Sequence, residues 1–264
     1  MQRISIITVN YNHLEGVKRT MESVLGQTYQ ELEYIVIDGG STDGSREYIQ
    51  EHASRVSYWV SESDNGVYDA MNKGIKKASG EYVLFLNSGD GFSSKSVLTE
   101  IFEKRGQIAD LIVGRQYHIR NGRRSSSRHI YKDEINERFL ISNTLPHQAT
   151  FIKRSLLQKV GGYDVSYRIV ADWVFWNEAI VKHHASVECI STFVAEMEEE
   201  GLSSNMEACR MEMAQYLQRR NPSMSEEDWK TLIQENSESY LYRRTMRNKL
   251  STFLVRLALR LNKE

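Results

Sequence analysis

Through its first hundred residues the chain alternates short apolar runs with amphipathic stretches of helical period. Ile4 to Val9, Leu32 to Ile37, Val56 to Val60 and Tyr82 to Leu86 read as buried strands. Between them, Leu14 to Leu25, a segment running through Ile49, and Gly66 to Ala78 read as helices. Tyr68, Met71 and Ile75 share one face of the last. Strands alternating with helices predict a parallel sheet covered by helices. Ser96 to Lys104 adds a short helix. The densest turn is Asp38-Gly39-Gly40-Ser41-Thr42-Asp43-Gly44, with Thr42 or Asp43 as the candidate N-cap of the helix that follows.

Beyond residue 105 the pattern changes. Leu111-Ile112-Val113 and Tyr117-His118-Ile119 suggest two strands, and the polar run Arg120 to Arg128 a hairpin and exposed loop. Ala149 to Ile152 and Ser186 to Ile190 read as strands, with a helix from Asp172 to Lys182 between them. From Ala208 onward the chain reads as helical, broken only at Asn221-Pro222. The organisation is thus an α/β unit over 1–205, with halves 1–104 and 105–205, and a helical C-terminal extension over 206–264.

Charge and composition narrow the function classes. At 264 residues the chain can bury a full core. A net charge of -1 and a pI near 6.7 argue against nucleic acid as a partner. Two distant cysteines, Cys189 and Cys209, suggest a reducing compartment without a disulfide framework. The N-terminal apolar run is a strand too short for a signal peptide, and no stretch approaches the roughly 20 apolar residues of a spanning helix. A cytoplasmic protein is expected. From Tyr240 to Glu264 there are seven Lys or Arg residues and one acid, whereas Glu196, Glu198, Glu199 and Glu200 form an acidic cluster upstream.

Chemistry is expected where three polar loops follow strands one, two and four: Asn10-Tyr11-Asn12, Asp38 to Asp43, and Asn87-Ser88-Gly89-Asp90. In an open α/β sheet, ligands bind in the crevice beyond the carboxyl ends of the strands. Asp38 there either accepts a hydrogen bond from a nucleobase N–H or closes an Asx-turn. Asp90 either holds a divalent cation or caps a turn. The glycine-rich loop has neither the phosphate-loop spacing nor the three spaced glycines of a dinucleotide fingerprint, which argues against a nicotinamide enzyme.

Five ordered blocks carry a resemblance. They are Ser5-Ile6-Ile7-Thr8-Val9-Asn10-Tyr11-Asn12, Ser23 to Tyr29, Ile37 to Gly44, Asp64-Asn65-Gly66-Val67-Tyr68-Asp69-Ala70-Met71-Asn72-Lys73-Gly74-Ile75, and Gly80 to Asp90. Together they closely resemble family 2 glycosyltransferases, and among them the bacterial enzymes that assemble exopolysaccharide, including colanic acid-type transferases. The likeness runs from residue 4 to about 200.

The resemblance implies a GT-A-like, Rossmann-type, mostly parallel sheet flanked by helices, and an inverting transfer from a nucleotide-sugar donor to a glycan or polyprenyl-linked acceptor. Thr8 and Asp38 would contact the base, and Asn10, Asp69, Lys73 and Ser88 would also line the donor. Asp90 would coordinate Mn²⁺ or Mg²⁺. Many members carry Asp-Ser-Asp-Asp where this chain has Asn87-Ser88-Gly89-Asp90, and an arginine where it has Met71.

On the acceptor side, Ala171-Asp172 resembles the family's Glu-Asp pair, which makes Asp172 the candidate general base. Its alternative role is to cap the following helix. Asp164 is a rival base or a turn former. His147 is a metal ligand, an acceptor contact or a structural histidine, and Gly201 to Ser204 resembles a mobile segment near the diphosphate. Leu250, Phe253, Leu254, Leu257 and Leu261 form an apolar stripe among basic residues. Residues 240–264 therefore either lie on an anionic membrane as a peripheral contact or pack on protein. The missing acids at Asn87, Gly89 and Ala171 leave a second reading, a nucleotide-sugar-binding protein with degraded catalysis. The sequence fixes no oligomeric state.

Overall fold

Strand β1 (Ile4–Asn10) is buried along its length and feeds two cores by simple alternation: Ile4 and Ile6 face one, Ile7 and Val9 the other. The computed structural model describes residues 1–103, 109–120, 122–198 and 205–237. After β1 come α1 (Leu14–Leu25), β2 (Leu32–Asp38), α2 (Ser45–Glu51), β3 (Tyr58–Ser61), α3 (Val67–Lys77) and β4 (Tyr82–Phe85). The four strands pair in parallel in the order β3-β2-β1-β4, so the ends of β2 and β4 flank that of β1.

The second half extends the same sheet. It contributes β5 (Gly91–Phe92), α4 (Val97–Phe102), β6 (Leu111–Arg120), β7 (Arg123–Ser126), α5 (Glu137–Leu140), β8 (Thr150–Lys153) and α6 (Arg154–Val160). Then follow α7 (Ala171–Asn177), β9 (Val187–Glu198) and α8 (Met206–Arg220). Beyond β4 the order is β8-β6-β9-β5, with β8 antiparallel to both neighbours and β7 a hairpin on β6.

Several expected boundaries move, each for a local reason. A 3₁₀ turn takes Ala53–Arg55, and pairing with β2 starts at Tyr58, so the third strand begins two residues late. The N-cap of α2 is Gly44, not Thr42 or Asp43. The Asp43 carboxylate instead accepts from the backbone N–H of Ser45 and of Leu14, joining the starts of two helices. The two strands expected at 111–113 and 117–119 are one, because the polar step between them is an irregularity against β9. There Gln116 is buried and the Arg115 guanidinium sits 3.9 Å above the Phe193 ring. The helix begun at Ala171 ends in a π turn over Glu178–Lys182, and β9 runs on to Glu198, which makes Glu196 and Glu198 strand residues.

The C-terminal helices share the core of the sheet. Met213, Ala214, Tyr216 and Leu217 of α8, with Trp229 and Ile233, belong to one buried cluster with Phe85, Trp173 and Trp176. Residues 226–237 are helical, and Ser225 and Asp228 close a reciprocal cap at the start. Among the described residues no helix is long and apolar enough to cross a membrane. The expectations for Gly201 to Ser204 and for residues 240–264 lie outside the described residues.

Candidate active site

A single carboxylate ties the ends of β1, β2 and β3. Asp38 Oδ1 accepts from Asn10 Nδ2 at 2.8 Å and Ser41 Oγ at 2.6 Å, while Oδ2 accepts from Ser41 N at 2.9 Å and Ser61 Oγ at 2.6 Å. Burial opposes the charge, but the bonds from Ser41, Ser61 and Asn10 outweigh it and hold the carboxyl below its ordinary range. Four donors thus converge on the Asp38 carboxylate. Thr8 lies beneath the crevice rather than in it, fully buried and bonded at 3.0 Å to the Tyr34 hydroxyl. Met71 is also a core residue.

The aromatic group that does face outward there is Tyr11, 67 % exposed. Gly39 brings it close: a Cβ at that position would lie 3.2 Å from Tyr11 Cδ2 and 2.6 Å from Asp64 Oδ2. Its sequence signal is a large aromatic in an otherwise polar strand-to-helix loop. Asp69 and Lys73 brace the neighbouring loop. Asp69 Oδ2 accepts from Asn65 N at 3.0 Å, and Lys73 Nζ donates to Ser63 O at 3.0 Å and pairs with Glu62 at 2.9 Å.

The Asn87–Asp90 loop is folded around Thr20 of α1. The Thr20 hydroxyl accepts from Gly89 N at 3.0 Å and lies 2.6 Å from the Asp90 carbonyl, and Gly89 adopts φ +101°, a left-handed conformation suited to glycine. Ser88 is anchored through its backbone N–H to Val9 O at 3.1 Å. Asp90 Oδ2 accepts from Asn87 N at 3.1 Å, and Gln148 donates to the same carboxylate. Burial dominates over these bonds and over the nearby Arg19, and the Asp90 carboxyl is pushed up to about 7. Asn87 Oδ1 is buried with no hydrogen-bond partner among the described residues. No group of three or more His, Cys, Asp or Glu among them gathers to hold a metal. At this loop Asp90 offers a buried carboxylate and Asn87 an amide oxygen without a partner among the described residues.

On the other side stands Asp172, in the first turn of α7. It does not cap that helix: the N-cap is Val170, without a side-chain bond. Glu212 of α8 instead accepts from the backbone N–H groups of Arg168, Ile169 and Val170 at 3.0, 2.9 and 3.0 Å. Asp172 Oδ1 lies 3.0 Å from the Tyr68 hydroxyl, which also reaches Ile169 O at 2.8 Å. No hydrogen bond to Oδ2 occurs among the described residues. Asp164 shapes a turn, accepting from Ser166 N at 2.9 Å.

The turn His147–Ala149 lies beside Asp90. Gln148 bonds Asp90, while the His147 ring packs 5.8 Å from Phe85 within the field of Asp172. Burial lowers the His147 pKa against that field, so the imidazole is neutral at pH 7, and its Nε2 has no partner among the described residues. Sequence reasoning missed Tyr68, Gln148 and Glu212, whose roles depend on partners distant in the chain. Glu212→Ala is expected to lower stability by about 3 kcal/mol, since charge-assisted bonds contribute roughly 1.5 to 3 kcal/mol each and do not add fully. Urea denaturation of the two proteins measures it, and equal midpoints would refute it.

Comparison with known proteins follows the same lines. The family model described as glycosyl transferase family 2 matches residues 5–161. An uncharacterised glycosyltransferase of Mycobacterium tuberculosis is 36% identical over 217 residues, 77% of this chain and 78% of the relative. A PGL/p-HBAD biosynthesis glycosyltransferase of Mycobacterium bovis is 30% identical over 197 residues, covering 69% of this chain and 73% of its own. Among solved structures, S. aureus TarS in complex with UDP superposes with a TM-score of 0.64 at 18% identity, over 89% of this chain and 70% of that one. A Pyrobaculum calidifontis mannosyltransferase in complex with GDP-Man and Mn²⁺ gives 0.59 at 18%, over 82% and 62%. At that identity the superpositions support the GT-A-type fold.

Proposed function

The chain belongs to glycosyl transferase family 2, and from that membership we propose an inverting sugar transfer, from a nucleotide-sugar donor to a hydroxyl of a glycan or polyprenyl-linked acceptor, in surface polysaccharide assembly. The observation that supports this reading is the pair of carboxylates presented by the fold: Asp90, buried beside the unpartnered Asn87 Oδ1, and Asp172, bonded by Tyr68 at Oδ1 alone among the described residues.

The donor base stacks on Tyr11 in this reading, over a floor that Asn10 and Asp38 hold rigid. Asp69 and Lys73 set the adjoining loop, and Ser88 borders the diphosphate. A divalent cation, Mn²⁺ or Mg²⁺, fits the loop's chemistry. Asp90 supplies a buried hard carboxylate and Asn87 Oδ1 an oxygen without a partner, a small donor set of the kind that is completed by substrate phosphates and water. When bound, the cation supplies positive charge against the leaving diphosphate. His147 stays on Phe85 as a neutral wall of the acceptor side.

Asp172 Oδ2 takes the acceptor hydroxyl's proton as that oxygen attacks the anomeric carbon. The bond to the nucleoside diphosphate breaks on the opposite face, which inverts the anomeric centre. The basic apolar stripe within 240–264 supports work at the inner face of a membrane, where a lipid-linked acceptor is presented.

The test is release of nucleoside diphosphate from a panel of UDP- and GDP-sugars with Mn²⁺ or Mg²⁺. At least one donor should be consumed, faster with a saccharide acceptor, to give a product of opposite anomeric configuration. Retained configuration would overturn the mechanism, and binding without release across the panel would favour the degraded-catalysis reading.

A further inference from the structure

Helix α3 has two working faces. Asp69 and Lys73, four residues apart, hold the 62–65 loop on the donor side. Tyr68 and Asn72, also four apart and therefore neighbours on the helix surface, hold the acceptor-side loop. Asn72 Nδ2 donates to Tyr163 O at 2.8 Å, and Tyr163 N donates to Asn72 Oδ1 at 2.9 Å. One turn earlier, the Tyr68 hydroxyl reaches Ile169 O and Asp172 Oδ1. The Tyr68 ring is buried and packs 5.4 Å from Tyr163, so the phenol has little freedom to leave.

We propose that Tyr68 is a positioning residue of the transfer: its hydroxyl fixes the Asp172 carboxylate by Oδ1, directs Oδ2 toward the acceptor, and links base placement to the donor-side helix. This rests on the reading of Asp172 as the general base. The chemistry suits the role. Burial, and then the charge of Asp172, push the Tyr68 phenol well above its ordinary range, so it remains a donor at every working pH. Its one proton is shared between Asp172 Oδ1 at 3.0 Å and the Ile169 carbonyl at 2.8 Å, which ties the carboxylate to the backbone just before α7.

Tyr68→Phe tests this while keeping the ring and its packing. Expected are a kcat lowered about tenfold to a hundredfold, as for loss of a hydrogen bond to a charged group, and a donor KM within about twofold of the parent. A role limited to packing would lower stability or raise KM rather than lower kcat alone. The same substitution is then made in an Asp172→Ala background, where it should change the residual rate by less than about twofold if it acts through that carboxylate. Equal losses in both backgrounds would overturn the positioning role while leaving the base intact. Full activity of Asp172→Ala alone would instead sink the base, and the positioning role with it.

Discussion

Asp90→Asn is expected to cut sugar transfer by about a hundredfold to a thousandfold, the scale of losing one electrostatic contact to the departing group, and yet to stabilise the protein above pH 7 in EDTA. The stability half follows from burial. The Asp90 carboxyl titrates at about 7 in the folded chain, against an ordinary 3.8. Between those values the folded chain keeps a proton that the unfolded chain has released, so stability falls as pH rises from about 4 to about 7 and stays reduced above. At about 1.4 kcal/mol per pKa unit the full loss is on the order of 4 kcal/mol. Asparagine carries no charge to desolvate and can still accept from Asn87 N, so the variant escapes that loss. Denaturant midpoints at pH 5 and pH 8 in EDTA, beside initial rates with Mn²⁺, read both halves. Wild-type rates in the variant would remove Asp90 from the reaction. A parent equally stable at both pH values would contradict the burial argument.

Asp172→Asn is expected to lower kcat by about a hundredfold to ten-thousandfold, the usual contribution of a general base, with donor KM and stability close to the parent's. The amide oxygen can still accept from Tyr68, and Glu212 still holds the preceding amides, so the loop keeps its shape. What is lost is the ability to take a proton. Steady-state kinetics with saturating acceptor measure it. A loss confined to KM would make Asp172 a binding residue.

The elements legible in the sequence are those that local periodicity decides. The chain's own spacing marks α1 at Leu14–Leu25, and β1, β2, α3 and β4 fall within a residue or so of their expected ends. Elsewhere a distant partner decides. Arg115 and Gln116 look like a break in β6 because nothing nearby reveals Phe193, whose ring stacks on Tyr117 at 3.9 Å. The site divides in the same way. Asp38 and Asp90 stand out by their places at strand ends, and Asp172 by the family resemblance. The sequence does not show that Asp38 is met by donors from positions 10, 41 and 61, or that Thr8 turns toward Tyr34. Nor does it show that the amides before Asp172 are taken by Glu212, which leaves the carboxylate free of a capping role.

That last contact has a bearing on synthesis. Glu212 follows Asp172 by about forty residues, whereas the four parallel strands beneath the donor loops are complete by Phe85. A nascent chain therefore passes through a stage in which those four strands are all made while the loop before Asp172 still lacks its Glu212 contacts, which wait for α8 to emerge.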